Sequence, residues 1–212
     1  MADWVTISSM ATAAGTLVLA TATFSSVRSA NRSARVAERT LLAAQRPVLI
    51  PSREDDPVET IGFGDGVVLR VSGHGCGFEL RDGRVYIAIA LRNGGAGLGV
   101  IHGWHVAAWG QFGDADRPEP AGFRRQLRDL FIPAGETGFW QGAIRDRSDP
   151  DYDAARGAIE RGERFIVDLM YGDHEGGQRA IARFSVGSVP DDLDTPRAEV
   201  LRYWNLDAED PR

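Results

Sequence analysis

The pattern of polar and apolar positions opens with a long absence of charge. From Trp4 to Val27, 24 residues follow one another without an ionisable side chain, and Arg28, Arg32, Arg35 and Arg39 come next. About 20 uncharged residues reach across the roughly 30 Å hydrocarbon core of a bilayer as a helix. Nine residues carry the apolar character: Trp4, Val5, Ile7, Met10, Leu17, Val18, Leu19, Phe24 and Val27. Thr, Ser, Ala and Gly15 fill the rest. The segment is therefore near break-even on an insertion scale, where Leu or Phe contributes only about −0.3 to −0.6 kcal/mol. A cleaved signal peptide needs a basic stretch ahead of its apolar run, whereas only Asp3 precedes this one. An interfacial helix needs a charged face, which the run lacks. Residues 1–27 are expected to form a single transmembrane helix.

Helical spacing continues to about Gln45, with no Gly or Pro until Pro47. At 100° per residue, Arg28, Arg32, Arg35, Arg39 and Arg46 share a stripe about 60° wide. Val27, Ala30, Ala34, Ala37, Leu41 and Ala44 line the opposite side with a short coiled-coil spacing. A stripe of small residues from Ser9 through Thr12, Thr16, Thr23 and Ser26 to Ala44 suits close helix approach, hence self-association. Residues 28–46 are expected to form a basic juxtamembrane helix. Its arginines act as the membrane flank, against lipid headgroups or simply solvated. Basic flanks stay in the cytoplasm. The N-terminus is thus expected outside, and residues 47–212 inside, of a bacterial inner membrane.

Beyond Pro47 the period changes to that of strands. Short β-branched or alternating runs occur at 47–50, 67–71, 78–81, 84–91, 100–109, 123–132, 137–144, 165–171 and 179–186. Asp82-Gly83 marks a type I′ hairpin. In 84–91 the odd positions Val85, Ile87, Ile89 and Leu91 are expected to face a core. Asn93-Gly94-Gly95-Ala96-Gly97 must turn. Tyr152 to Arg161 reads as the domain's helix, and Arg197 to Asn205 fits either a strand or a helix. The fold class expected is mainly β: a β-sandwich over 47–212, with a barrel as the competing arrangement.

Composition changes this picture in two ways. All 24 basic residues are Arg, and 30 residues are acidic. The charge is split. Residues 1–46 carry five Arg against two acids, net +3, and residues 47–212 carry 19 Arg against 28 acids, net −9. An acidic domain repels nucleic-acid phosphates, so no nucleic-acid partner is expected; Arg124, Arg125 and Arg128 form the one basic cluster. The single cysteine, Cys76, excludes an internal disulfide and fits a reducing compartment.

The order of elements carries a resemblance. It comprises the apolar helix, the basic helix ending in Arg46-Pro47, Leu91-Arg92-Asn93-Gly94-Gly95-Ala96-Gly97, Pro133-Ala134-Gly135-Glu136, and Tyr171-Gly172-Asp173-His174-Glu175-Gly176. The chain resembles uncharacterised small bacterial membrane proteins with an immunoglobulin-like cytoplasmic or periplasmic domain. That resemblance implies an immunoglobulin-like β-sandwich and no particular activity.

Candidate chemistry is sparse. His102 and His105 are three apart on a strand and so point to opposite faces, unless a bulge at Gly103 intervenes. Asp173-His174-Glu175 is rich in titratable groups, but it joins two strands. Cys76 lies between Gly75 and Gly77 in an expected loop, without a partner motif. No phosphate loop, dinucleotide fingerprint or nucleophile elbow is present, so no cofactor and no metal are expected. Trp109 and Trp140 are candidates for an outward-facing binding patch, with Asp173, His174 and Glu175 as further interaction residues. The expected function is a membrane-anchored, non-enzymatic module whose partner is another protein or a second copy. The alternative is a membrane-anchored hydrolase using His102, His105, Asp173, His174 and Glu175.

Overall fold

A computed structural model describes residues 3–110, 116–189 and 192–208, without the side chains of 5, 6, 189 and 192–194. Residues 111–115, part of the acidic Pro-rich loop read from the sequence, lie outside that description. The chain divides into two compact units, Met1–Ala44 and Gln45–Arg212.

The first unit is one helix, α1 (Trp4–Ala44, 41 residues). No proline interrupts it, and the backbone runs unbroken through the expected division at 27/28. Every residue of α1 whose side chain is described is exposed. The hydroxyls of Thr12, Thr16 and Thr40 donate to the carbonyls of Ser8, Thr12 and Val36, and those of Thr21 and Ser25 to the carbonyls of Val18 and Ala22. Each such bond satisfies a hydroxyl inside the helix, which lowers the cost of placing Thr and Ser in hydrocarbon. By length and composition the helix is able to cross a membrane.

The second unit is mainly β, with two open antiparallel sheets. In the first, β5 (Arg84–Asn93) is central and pairs along one side with β9 (Thr137–Ile144). Its other side is shared by β4 (Cys76–Arg81) and β1 (Leu49–Pro51). The β4–β5 turn has Asp82 at φ 53° and Gly83 at φ 70°, the two left-handed residues of a type I′ turn. In the second sheet the order is β12 (Asp192–Asn205), β11 (Ala180–Val189), β10 (Phe165–Gly172), β6 (Gly99–Ala108). The far side of β6 is shared by β7 (Arg124–Arg125) and β8 (Phe131–Ile132).

Alternation assigns the cores. Val85, Ile87, Ile89 and Leu91 join a main core with Val167, Leu169, Phe184, Val186 and Trp140, drawn from both sheets. The even positions Tyr86, Ala88 and Ala90 are buried as well, because a hairpin of β2 (Glu59–Gly62) and β3 (Val68–Val71) covers them with Ile61, Phe63, Val67, Leu69 and Val71. β5 is therefore apolar on both faces, as a strand between two layers must be. Helix α2 (Tyr152–Arg161) contributes Tyr152, Ala155 and Ala158 to the main core. It ends on Gly162, which is left-handed at φ 66°.

Three sequence expectations need correction. The expected strand 123–132 is two short ladders, β7 and β8, separated by Gln126–Leu130. β2 escaped notice, because Glu59-Thr60-Ile61-Gly62 holds only one strongly apolar residue. Cys76 is not in an open loop. It begins β4, is buried, and its Sγ donates to the Arg197 carbonyl at 3.3 Å. Burial pushes its thiol pKa up to about 12, so it is inert as a nucleophile at neutral pH. Arg197–Asn205, open between two readings, is strand.

Candidate functional site

Arg28, Arg32, Arg35 and Arg39 are exposed along α1. The residues chosen as an interaction surface do not come together. Trp109 is 54% exposed just beyond the end of β6, with the Arg164 guanidinium 5.9 Å from its ring centroid. Trp140 is 0% exposed, contrary to expectation. Pleating sends Trp140 and Ile144 into the main core, while Phe139 and Ala143 turn to the hairpin side. The Trp140 ring meets Trp104 edge-on at 5.4 Å, and its Nε1 donates to Gln126 Oε1 at 3.3 Å. Asp173, His174 and Glu175 come directly after the far end of β10. Ala108 pairs with Phe165, and Val100 with Gly172, so that turn and Trp109 flank opposite ends of the β6–β10 ladder. Some seven residues of strand separate them, on the order of 20 Å.

The Asp173 carboxylate is consumed locally. It accepts from the backbone N–H of Glu175 (3.0 Å) and of Gly177 (2.8 Å). This is the work of a turn residue, while His174 and Glu175 are exposed.

The two β6 histidines do share a face, because a bulge interrupts the β6–β10 register at His102. Gly103 accommodates it: a Cβ there would lie 2.8 Å from the Arg124 carbonyl. Their surroundings nonetheless differ. His102 feels Asp173 and Arg179, and burial above all lowers its pKa, so the imidazole is neutral at pH 7. Its buried Nε2 has no hydrogen-bond partner among the described residues. His105 lies 3.6 Å from Asp168 and 3.8 Å from Asp151. The residues of the hydrolase alternative thus fall into two groups, His102 with Asp173 and His105 with Asp151 and Asp168. Among the described residues no three of His, Cys, Asp and Glu converge as metal ligands.

An ionic row missed by sequence reasoning crosses the second sheet: His105, Asp168, Arg183 and Arg202 pair successively through β6, β10, β11 and β12. Arg183 donates Nε and one terminal nitrogen to the two Asp168 oxygens at 2.8 and 2.9 Å, with both residues at 1% exposure or less. Trp204 stacks on that guanidinium at 4.9 Å. The signal lay in the polar centres of two otherwise apolar strands, Phe165–Gly172 and Ala180–Val189.

A groove of about 750 Å³ lies between the β2–β3 turn, the outer end of β9 and the segment after β7. Phe63, Trp104 and Ala143 give it apolar walls, and Arg124, Arg125, Arg128 and Arg145 line it; none of its lining residues is acidic. Arg124 is anchored outside by Asp149 and Asp151 and lies 4.8 Å over the Trp104 ring. Arg145 pairs with Asp65 at 3.2 Å. Arg125 and Arg128 are exposed and make no ion pair among the described residues.

No protein-family model and no curated protein matches this chain. One solved structure, the crystal structure of a protein from Archaeoglobus fulgidus, aligns over 63% of this chain and 94% of its own at 12% identity. Its TM-score of 0.24 is too low to support any statement about fold or function.

Proposed function

We propose that this chain is a membrane-anchored, non-enzymatic binding module. α1 enters the bacterial inner membrane, the arginines Arg28, Arg32, Arg35 and Arg39 hold its basic end at the cytoplasmic side, and residues 45–212 form an immunoglobulin-like β-sandwich that meets a protein partner or a second copy. The observation that carries this reading is α1 itself. Leu17, Val18, Leu19 and Phe24 are 65 to 69% exposed on it. An apolar helical surface that long is costly in water and favourable in hydrocarbon. The sandwich reading is supported by a core that draws on inner residues of both antiparallel sheets. The non-enzymatic reading is supported by the division of the histidines into two groups, His102 with Asp173 and His105 with Asp151 and Asp168. Past the lipid-facing stretch, Val36, Leu41 and Leu42 are still 42 to 58% exposed, which favours a helical partner such as a second α1.

The test is fractionation of cells expressing the full chain, followed by protease treatment of intact spheroplasts. The expected result is sedimentation with membranes, release by detergent but not by high salt, and a protected C-terminal domain. Recovery in the high-speed supernatant refutes the anchor, and digestion from outside refutes the orientation.

A further inference from the structure

The groove beside β7 goes beyond that reading. We infer that it is a binding site for a phosphate-bearing small anion with a flat apolar body. The second unit carries eight more acids than arginines, 28 against 20. Four of its arginines nevertheless line one concavity that no acid lines. In sequence, Arg124, Arg125 and Arg128 have acids nearby on both sides, but none of those acids is among the residues that line the groove. Asp149 and Asp151 hold Arg124 from outside, and Asp65 holds Arg145. Arg125 and Arg128 are left with their guanidinium groups unpaired among the described residues. Each presents a planar fork of donors that suits phosphate oxygens. Two unmatched positive charges ask for a dianion, and a phosphate monoester carries about −1.5 to −2 at neutral pH.

The remaining walls of the groove define the body that the phosphate carries. Phe63 and Trp104, 7% and 6% exposed, line it with the small part of each ring left open, and Leu127 stands 93% exposed at the rim. A volume of about 750 Å³ lies within the roughly 300–1,000 Å³ of small-molecule sites. The floor is fixed: Gln126 accepts from Trp140 Nε1 and donates to the Gln141 carbonyl at 3.3 Å, and a Cβ on Gly142 would lie 3.2 Å from the Trp104 ring. A site that needs no rearrangement loses less free energy in ordering its ligand.

Calorimetry on the full chain in an uncharged detergent tests this with four probes: phenyl phosphate, inorganic phosphate, benzoate and dihexanoyl phosphatidate. Phenyl phosphate is expected to saturate one site at least about five-fold more tightly than either inorganic phosphate, which lacks the ring, or benzoate, which has one charge. Joint Arg125→Gln and Arg128→Gln replacement, on exposed positions that leave the core untouched, weakens it at least about ten-fold. Joint Arg70→Gln and Arg81→Gln replacement, the same charge change elsewhere on the surface, leaves it within about two-fold. Phosphatidate tighter than phenyl phosphate identifies the source as a lipid headgroup, and equal or weaker binding identifies a soluble ester. The inference is overturned if no phosphate probe saturates by about 10 mM, if benzoate matches phenyl phosphate, or if the control pair loses as much as the groove pair.

Discussion

Asp168 and Arg183 show how a buried charge is tolerated here. Each is removed from water, and each is met by a two-pronged contact, with Trp204 over the guanidinium and His105 beside the carboxylate. Removing one member strands the other, at a cost of about 3–5 kcal/mol for a pair buried this completely. Replacing both with apolar residues of similar size avoids that penalty. Asp168→Asn is therefore expected to lower unfolding stability by several kcal/mol, and Asp168→Leu combined with Arg183→Met to recover most of it, as read by urea denaturation. A double variant no more stable than the single one would mean that the row contributes more through His105 and Arg202 than through its central pair.

At the scale of elements, β6 is the strand that sets the geometry of the domain. Its bulge turns His102 toward Asp173 and Arg179 and leaves Trp104 in the main core. The imidazole of His102, held neutral chiefly by burial, links this bulge to pH. An unfolded histidine takes up a proton below about pH 6.5, and the folded one resists. The stability contributed is thus present above about 6.5 and declines as pH falls from there through the lower folded value. The slope is at most about 1.4 kcal/mol per pH unit, and less for a partly solvated ring. Denaturation midpoints between about pH 7.5 and 5 are expected to fall in the native chain and to fall less steeply in His102→Gln. A parallel decline in both would assign the effect to other groups. Much at this scale was legible: the Asp82-Gly83 turn, the inward odd positions of β5, the helix Tyr152–Arg161, and the turn that starts at Asn93. What escaped was long-range. Asn93 reads as a turn former, yet it is fully buried, and its side chain also bonds to Val48 and Ile132, more than 35 residues away. Trp140 faces inward because of its register on β9, and a Phe-Trp pair does not show which ring is buried. The groove draws on four separated parts of the chain, and only its Arg124-Arg125-Gln126-Leu127-Arg128 part was visible as a cluster.

At the scale of the whole chain, the proposed reading has the two units answer to different solvents. Both core clusters are built entirely from residues of Gln45–Arg212, and none comes from α1. The second unit also fixes its own entrance: Asn93 Oδ1 accepts from the backbone of Val48, Tyr203 donates its hydroxyl to the Leu49 carbonyl, and Arg46 bonds to Asn205. The chain lies so close to the 93–97 turn there that a Cβ on Gly95 would meet the Arg46 carbonyl at 2.2 Å. A unit that holds its first residues by its own contacts does not need the helix before them. A chain starting at Gln45 is accordingly expected to stay in the supernatant and to unfold in one cooperative transition, its midpoint within about 2 °C of the full chain in the same detergent, a difference that corresponds to under about 1 kcal/mol at this size. Differential scanning calorimetry of the two chains measures it. A larger drop would show that α1 stabilises the β unit, and the proposed anchor would then have a second, structural role.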